Sequence, residues 1–368
     1  MRLAALELVN FRGWSELRLS FPPSSVGLVG ANATGKTSIL EAIWYSATLS
    51  SHRASADSVL VHSGEEAAII RASVEHEGRT DLLELEIVTQ GRARTKLGGS
   101  PVGRRRDVLG TIRASLFAPE RVAVVRRDPG ERRRFVDELL VQLHPRYHGV
   151  IREYERALRQ RNALLREAGG IAPAGLDAWD EAVASPGGEL CAGRADAILT
   201  LAPAAAAAYR AVGGDRALHA RYVPKVEEPT EPGSAAAWSL AIREGLRARR
   251  GDELARGTTL VGPHRDDVEL MIGDLPARTH ASQGEAWLAA LALVLGVHSS
   301  LAERVGTQPV LLLDDAFSLL DPDRRERLGE ALPSGAQIIA AASDPRELPS
   351  SQRWTLGRAT VTGVQWDV

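Results

Sequence analysis

The sequence predicts an α/β fold with a largely parallel sheet, discontinuous along the chain, interrupted by an inserted helical domain and without a long coiled coil. Three observations predict it. A short apolar run near the N-terminus leads into a glycine-bounded loop and then a helical pattern. From Pro119 to about Tyr209 the periodicity is helical, rich in Arg, Glu, Ala and Leu. The last third alternates short apolar runs with amphipathic stretches, the order of a sheet covered by helices.

The elements follow in order. Leu3 to Val9 and Leu17 to Phe21 alternate apolar with polar residues around Gly13, a half-buried hairpin. Val26 to Val29 is a strand and Thr37 to Leu49 a helix. Strands are expected at Ala67 to Glu75 and Leu82 to Val88, before a turn at Gly98 and Gly99. Helices are expected at Glu131 to Leu143 and Tyr147 to Glu167, with Pro and Gly breaking the pattern at 169–175 and 186–188. These helices are too short and interrupted for a sustained coiled coil. Beta pattern returns at Ala217 to Val226, followed by a helix at Ala235 to Arg250. Strands at Thr258 to Val261, Val268 to Ile272, Pro309 to Leu313 and Gln337 to Ala341 alternate with helices at Gln283 to Ser299 and Asp321 to Ala331. The chain therefore divides into residues 1–115, a helical insertion at 116–206, and 207–368.

Composition sets the outer limits. The chain has 368 residues, 44% hydrophobic and 25% charged, which excludes a disordered or fibrous protein. Cys191 is the lone cysteine, so internal disulfides and cysteine-built zinc or redox sites are excluded, and a cytoplasmic setting is expected. Glu7 and Glu16 interrupt the N-terminal apolar pattern, unlike a secretory signal. The longest apolar stretch, Ala286 to Val297, is about half the roughly 20 residues a bilayer requires, so no membrane partner is expected.

Two segments carry chemistry by themselves. Gly30-Ala31-Asn32-Ala33-Thr34-Gly35-Lys36-Thr37 matches GxxxxGK[ST]. In such a loop backbone N–H groups surround phosphates, the lysine reaches the terminal ones, and the threonine hydroxyl serves Mg²⁺. The following helix, beginning near Ser38, directs its N-terminal dipole at the same phosphates. Val310 to Asp315 is an apolar strand ending in two acids, placed for Asp314 to hold Mg²⁺ and Asp315 to position or deprotonate an attacking water. Ser282-Gln283-Gly284, just before a helical pattern, and Ser318 to Asp321 are in isolation only N-caps and loops.

Taken in order, these motifs resemble the ATP-binding-cassette heads of the SMC class, and within them the RecF family of bacterial recombination mediators. Val9-Asn10-Phe11-Arg12 resembles that family's first strand and turn, and Ser282-Gln283-Gly284 its signature motif. Asp314-Asp315 and Ser318 to Asp321 resemble its acidic strand end and D-loop. Phe117 to Glu120, Arg132-Arg133 with Phe135 and Asp137, Tyr154 to Leu165, and Gly262 to Asp267 extend the likeness over nearly the whole chain. The chain departs from the pattern at Ala33, where glycine is usual, and at Glu285, where glutamine commonly follows the signature.

The resemblance implies an SMC-like ABC-type ATPase head with ATP and Mg²⁺ as cofactors. Residues 30–38 and Arg12 would bind nucleotide, and two heads would sandwich two ATP molecules, Lys36 of one and Ser282 of the other meeting one γ-phosphate. It also implies slow hydrolysis as a switch, gapped DNA as partner, a nucleoid-associated location, and work with RecR, RecO and RecA. A nucleotide-binding SMC-like scaffold or signalling protein without DNA-coupled hydrolysis is the alternative. No histidine follows Gln337 to Ala341, which argues against a transporter ATPase.

Other residues read in two ways. Pro101 to Asp137 holds ten arginines against five acids. Arg104, Arg105, Arg106, Arg126, Arg127, Arg132 and Arg133 read either as backbone contacts to duplex DNA or as a solvated face. With 42 arginines and three lysines in the chain, arginine abundance carries reduced weight. His52 and Arg53 read as phosphate neighbours or as a helix C-cap. His264, Asp266 and Asp267 read as a shaped turn or as metal ligands in a spacing unlike known zinc patterns. Trp179, Trp238 and Trp287 are expected in cores.

Overall fold

The computed structural model describes residues 1–168 and 172–366. β1 (Arg2–Phe11) and β2 (Trp14–Ser20) form the N-terminal hairpin. Leu3, Leu6 and Leu8 all face inward although the first two are three apart, because a β-bulge between Leu3 and Ala5 resets the alternation. β3 (Ser25–Val29) runs into the glycine loop and α1 (Lys36–Thr48). β4 (Ala67–His76), β5 (Arg79–Val88), β6 (Thr95–Leu97) and β7 (Ser100–Pro101) continue the hairpin into a six-stranded antiparallel sheet, ordered β2-β1-β4-β5-β6-β7. Gly98 and Gly99 make the last turn with φ of 58° and 80°, conformations glycine adopts without steric cost.

β8 (Ala114–Phe117) precedes four helices, α2 (Ala123–Arg126), α3 (Pro129–Leu143), α4 (Tyr147–Glu167) and α5 (Leu176–Ala211). Of the break expected at 169–175, residues 169–171 lie outside the described residues. The break expected at 186–188 is absent: α5 runs 36 residues through Pro186, Gly187, Gly188 and Pro203. A Cβ on Gly188 would stand 2.4 Å from the Ala235 carbonyl of α6 (Ala235–Arg256), so the residue that reads as a breaker permits a close helix crossing. Packing on both sides overrides the local propensity.

β9 (Leu218–Val223) pairs antiparallel with β10 (Asp267–Ile272), and β10 with β11 (Leu275–Pro276). The strand expected at Val268 to Ile272 is thus in a separate three-stranded sheet and not in the parallel one. Thr258 to Val261 is loop, also against expectation. Side chains take its backbone donors: Thr259 N–H donates to Asn162 Oδ1 (2.8 Å) and Leu260 N–H to Glu253 Oε1 (2.7 Å).

α7 (Ala277–His280), α8 (Gln283–Val305), β12 (Val310–Asp314), α9 (Pro322–Ala331), β13 (Ile338–Ala342), β14 (Trp354–Thr360) and β15 (Gly363–Trp366) complete the chain. The second six-stranded sheet has the order β15-β14-β3-β13-β12-β8, parallel except at β15. Its strands are apolar on both faces because two cores need them. Val310 and Leu312 join α1 and the antiparallel sheet, while Leu311 and Leu313 join α8 and α5. α8 is longer than its apolar stretch suggests. Its length and composition would suit a bilayer, and 83% of its most apolar window is buried in the fold instead.

Candidate nucleotide site

β13 lies between β3 and β12, so the carboxyl ends of those two strands open on one edge, about 10 Å apart. That is where open α/β sheets place ligands. Both ends are anchored to β13: Gly30 N–H donates to Ala342 O (3.3 Å) and Asp315 N–H to Ala341 O (3.2 Å).

The loop between β3 and α1 is shaped by its neighbours. A Cβ on Gly30 would stand 2.4 Å from Ala359 O of β14, and one on Gly35 would stand 2.6 Å from the Trp14 ring. Gly35 also has φ 88°. Ala33 holds φ 66°, a left-handed position that strains a residue with a Cβ. Ala31, Asn32 and Ala33 are exposed, while Lys36 is buried beneath them and donates to Gly30 O (2.6 Å) and Ala31 O (2.9 Å). Thr34 Oγ1 donates to Ala31 O (2.9 Å), tightening the same turn. Burial pulls the Lys36 ammonium below its usual range, opposed by Asp315 and Asp314.

The acids sit directly opposite. Thr37 Oγ1 donates to Asp314 Oδ1 at 3.1 Å. Burial, with Asp315 and Glu120 adding to it against the Thr37 hydrogen bond, pushes the Asp314 carboxyl up to about 6. Asp315 is half-buried with φ 47°, and burial raises it while Lys36 pulls it down. Thr37 and Asp314 supply hard oxygen donors that fit Mg²⁺. Among the described residues no group of three or more His, Cys, Asp or Glu could hold a metal, so other Mg²⁺ ligands would be water and phosphate oxygens.

A second set of residues is organised by helix caps. Ser282 caps α8, its Oγ accepting from Glu285 N–H (3.2 Å) while its own N–H donates to Glu285 Oε2 (2.8 Å). Arg216 donates to Glu285 Oε1 at 2.6 Å. Asp321 caps α9 by accepting from Arg324 N–H (2.9 Å), and Ser318 Oγ donates to Asp315 O (2.8 Å). Between them Leu319 is 57% exposed. Among the described residues no hydrogen bond or ion pair joins Ser282, Gln283 or Gly284 to residues 30–38. One indirect tie exists: the Trp287 indole of α8 donates to Ala316 O (3.1 Å), just past Asp315.

Residues 2–354 match the family model described as the RecF/RecN/SMC N terminal domain. The "DNA replication and repair protein RecF" of Kineococcus radiotolerans is 46% identical, over 96% of this chain and 95% of that protein. The chain belongs to the RecF family. The protein of the same description from Frankia alni is 45% identical, over 95% of each. A solved "recombination mediator protein RecF-ATPrS in RecFOR pathway" superposes with TM-score 0.89 at 25% identity, covering 100% of this chain and 98% of that one. An SmcHead bound to the C-winged helix domain of ScpA shares the fold at TM-score 0.57 and 16% identity, covering 100% and 97%. The SMC-like ATPase-head architecture is that of the RecF family.

Several expected site residues have partners within the fold. Arg12, expected at the nucleotide, is held by buried Glu41 through two hydrogen bonds of 2.8 and 2.7 Å. Arg132, expected at DNA, is 5% exposed and forms a bidentate pair with Asp267 (2.7 and 2.9 Å). Arg133 donates to Asp266 O (2.7 Å), and Arg126 to Ala281 O (2.9 Å) beside the signature. Arg105 is occupied by the Tyr45 hydroxyl and by Asp57 (3.3 Å). Arg104, Arg126 and Arg127 are exposed and Arg106 half-exposed.

In this RecF-family chain the turn from Gly262 to Asp267 is tied into the fold by its side chains. His264 bonds the Tyr154 hydroxyl (2.6 Å) and Thr259 O (3.1 Å), and Asp266 accepts from Tyr222 and from Lys225 N–H (2.8 Å). Leu49 is the C-cap of α1, so His52 and Arg53 are not. Arg53 pairs with Glu120 at 3.3 Å, and burial pushes the His52 imidazole down to about 3. Trp238 and Trp287 are buried, but Trp179 is half-exposed. Trp14, Glu41 and Arg216 carry no local signal, since each acts on a residue 21 or more positions away.

Proposed function

We propose that this chain is an ATP-dependent DNA-binding protein of recombinational repair, cytoplasmic and nucleoid-associated, which dimerises on ATP at gapped or junction DNA. In this reading it helps load the RecA recombinase, working with RecR and RecO. The relatives described as RecF, and solved forms described as RecF-ATP and RecF-ATPrS in the RecFOR pathway, support it. The observation that carries it is the facing of Lys36 and Thr37 against Asp314 and Asp315 across one sheet edge.

In this reading, backbone N–H groups from Ala31 to Ser38 bind the phosphates. Lys36 exchanges its two loop carbonyls for β- and γ-phosphate oxygens. Mg²⁺, held by Thr37 and Asp314, would neutralise charge on the phosphates. Asp315 orients the attacking water and accepts its proton. Ser282 of the partner subunit, with Gln283 and Gly284 of the partner subunit, closes over the γ-phosphate, and Ser318 and Asp321 shape the D-loop. Exposed Leu319 gives that contact an apolar element. Aspartate is one methylene shorter than glutamate at the water-positioning site, which makes turnover slow. A rate like that of a processive helicase would refute the switch. Arg104, Arg106, Arg126 and Arg127 remain the DNA-contact candidates, through phosphates.

The test is equilibrium binding of a gapped duplex with ATP, with ADP and without nucleotide, at two salt concentrations, for wild type and Lys36→Met. ATP should tighten binding only in wild type, and salt should weaken it. Affinity indifferent to nucleotide would favour the uncoupled scaffold.

A further inference from the structure

Glu285 sets a charge problem beside the signature. If Ser282 meets a nucleotide bound by a second copy, as proposed above, a bare carboxylate three residues on would face triphosphate oxygens. The geometry points to Arg216 as the positioning residue that solves it, neutralising Glu285 and thereby setting the signature face to accept the partner's nucleotide. This inference rests on the dimer reading and deepens it.

Both Glu285 oxygens are committed: Oε1 accepts from Arg216 (2.6 Å) and Oε2 from Ser282 N–H (2.8 Å). Ser282 Oγ accepts from Glu285 N–H, which leaves its own hydrogen free to donate to phosphate. The arginine therefore acts through the glutamate on the serine. Arg216 is itself held. Its stem packs over the β10–β11 turn, where a Cβ on Gly273 would stand 3.3 Å from its Cδ, and Gly273 N–H donates to Ala217 O (2.8 Å). The pair stays partly open to solvent, 41% for the Arg216 side chain and 31% for that of Glu285, on a face not covered within the chain. The Glu285 carboxyl is accordingly pulled down to about 2, first by the Arg216 hydrogen bond and then by Ser282. A neutral glutamine and a glutamate paired with arginine leave the same net charge at this point, so Arg216 is the counterpart of the departure at position 285. Arg324, itself paired with Asp321 at 3.6 Å, lies at the same rim, its guanidinium 3.9 Å from where a Gly284 Cβ would sit.

The test uses the full chain as wild type, Arg216→Ala, Glu285→Gln and the double variant. ATP-dependent dimerisation is followed by sedimentation, and ATP affinity under dilute, monomeric conditions by a fluorescent analogue. Arg216→Ala should weaken the ATP dimer by roughly tenfold or more, and Glu285→Gln should tighten it by leaving a free cation beside phosphate. The double variant should return close to wild type, and monomer ATP affinity should stay within about twofold throughout. A structural role for Arg216 cannot produce that rescue. A wild type that dimerises while Arg216→Ala dimerises equally well, or while the double variant is as weak as Arg216→Ala, overturns this inference alone. A wild type that stays monomeric with ATP overturns it together with the dimer reading.

Discussion

One methyl group is tolerated at one position of the phosphate loop and excluded at another. Ala33 already sits at φ 66°, exposed, where a Cβ costs about 1 kcal/mol. Ala33→Gly should leave thermal stability unchanged or slightly raised and keep ATP binding. Gly35→Ala adds the same strain at φ 88° and drives a Cβ into Trp14, which must move with the hairpin behind it. It should weaken ATP binding at least tenfold, by a distortion of the loop that costs roughly 1–3 kcal/mol. Equal nucleotide affinity in the two variants, by calorimetry, would contradict this account. A buried histidine supplies a second prediction. His298 bonds Ser115 (3.1 Å) and Gln308 (3.0 Å), and burial pushes it down to about 4. A base depressed in the fold takes up its proton first in the unfolded chain, so its stabilisation is complete above about pH 6.5 and falls toward pH 4. His298→Asn keeps polar groups but not the titration. It should flatten the slope of stability against pH in that window by about 1.4 kcal/mol per unit. An unchanged slope would show that the proton goes elsewhere.

Helix crossings govern the next scale, and α5 is the element around which the helices pack. It meets α6 at Gly188 and α8 at Gly296, where a Cβ would stand 2.8 Å from the Ala205 backbone. Gly188→Val forces backbone apart on two helices and should cost about 1–3 kcal/mol. Chemical denaturation should show it, and an unchanged midpoint would mean that the crossing is looser than the contacts indicate. The same glycine shows why the elements were unevenly legible. Periodicity located α3, α4 and most strands of the antiparallel sheet, whose apolar spacing reflects one buried face, and continuous apolar runs located α1, α8 and most of the parallel strands, which are buried on more than one side. Pro186-Gly187-Gly188 carries two opposite meanings, breaker and close crossing, and only the partner helix decides between them. Val268 to Ile272 shows β pattern yet pairs with β9 in another sheet, since pairing partners leave no mark on local alternation. The site divides in the same way. Lys36, Thr37, Asp314 and Asp315 are readable from two contiguous motifs, whereas the bonds of Trp14 to Gly35, Glu41 to Arg12 and Arg216 to Glu285 cross the chain and leave no local mark. The basic run from Pro101 to Asp137 is only partly a surface feature for a related reason. Composition counts Arg132 as a surface charge, but Asp267 of β10 has taken it into the fold.

At the scale of the whole molecule, the phosphate loop and the signature make no direct polar contact among the described residues, although both belong to one family pattern. A head closed by itself would need them to meet; two heads in antiparallel apposition would each complete the other. That arrangement is testable without a structure of the dimer, because it fixes which defects can complement. Lys36→Met disables the loop of its own site, and Ser282→Arg places a bulky cation on the face offered to the partner subunit. Neither variant alone should form an ATP dimer. In a mixture of the two, the Lys36 loop of the Ser282→Arg chain meets the intact Ser282 of the Lys36→Met chain, while the opposite site carries both defects. One sound site per mixed dimer should restore ATP-dependent association and roughly half the wild-type turnover per dimer, since the two sites are then one intact and one dead. In the proposed dimer nucleotide binding is linked to association, so the recovered dimer should also restore part of the ATP-dependent affinity for gapped duplex. If Lys36 and Ser282 acted within one chain, both mixed partners would carry a broken site and no mixture would recover activity.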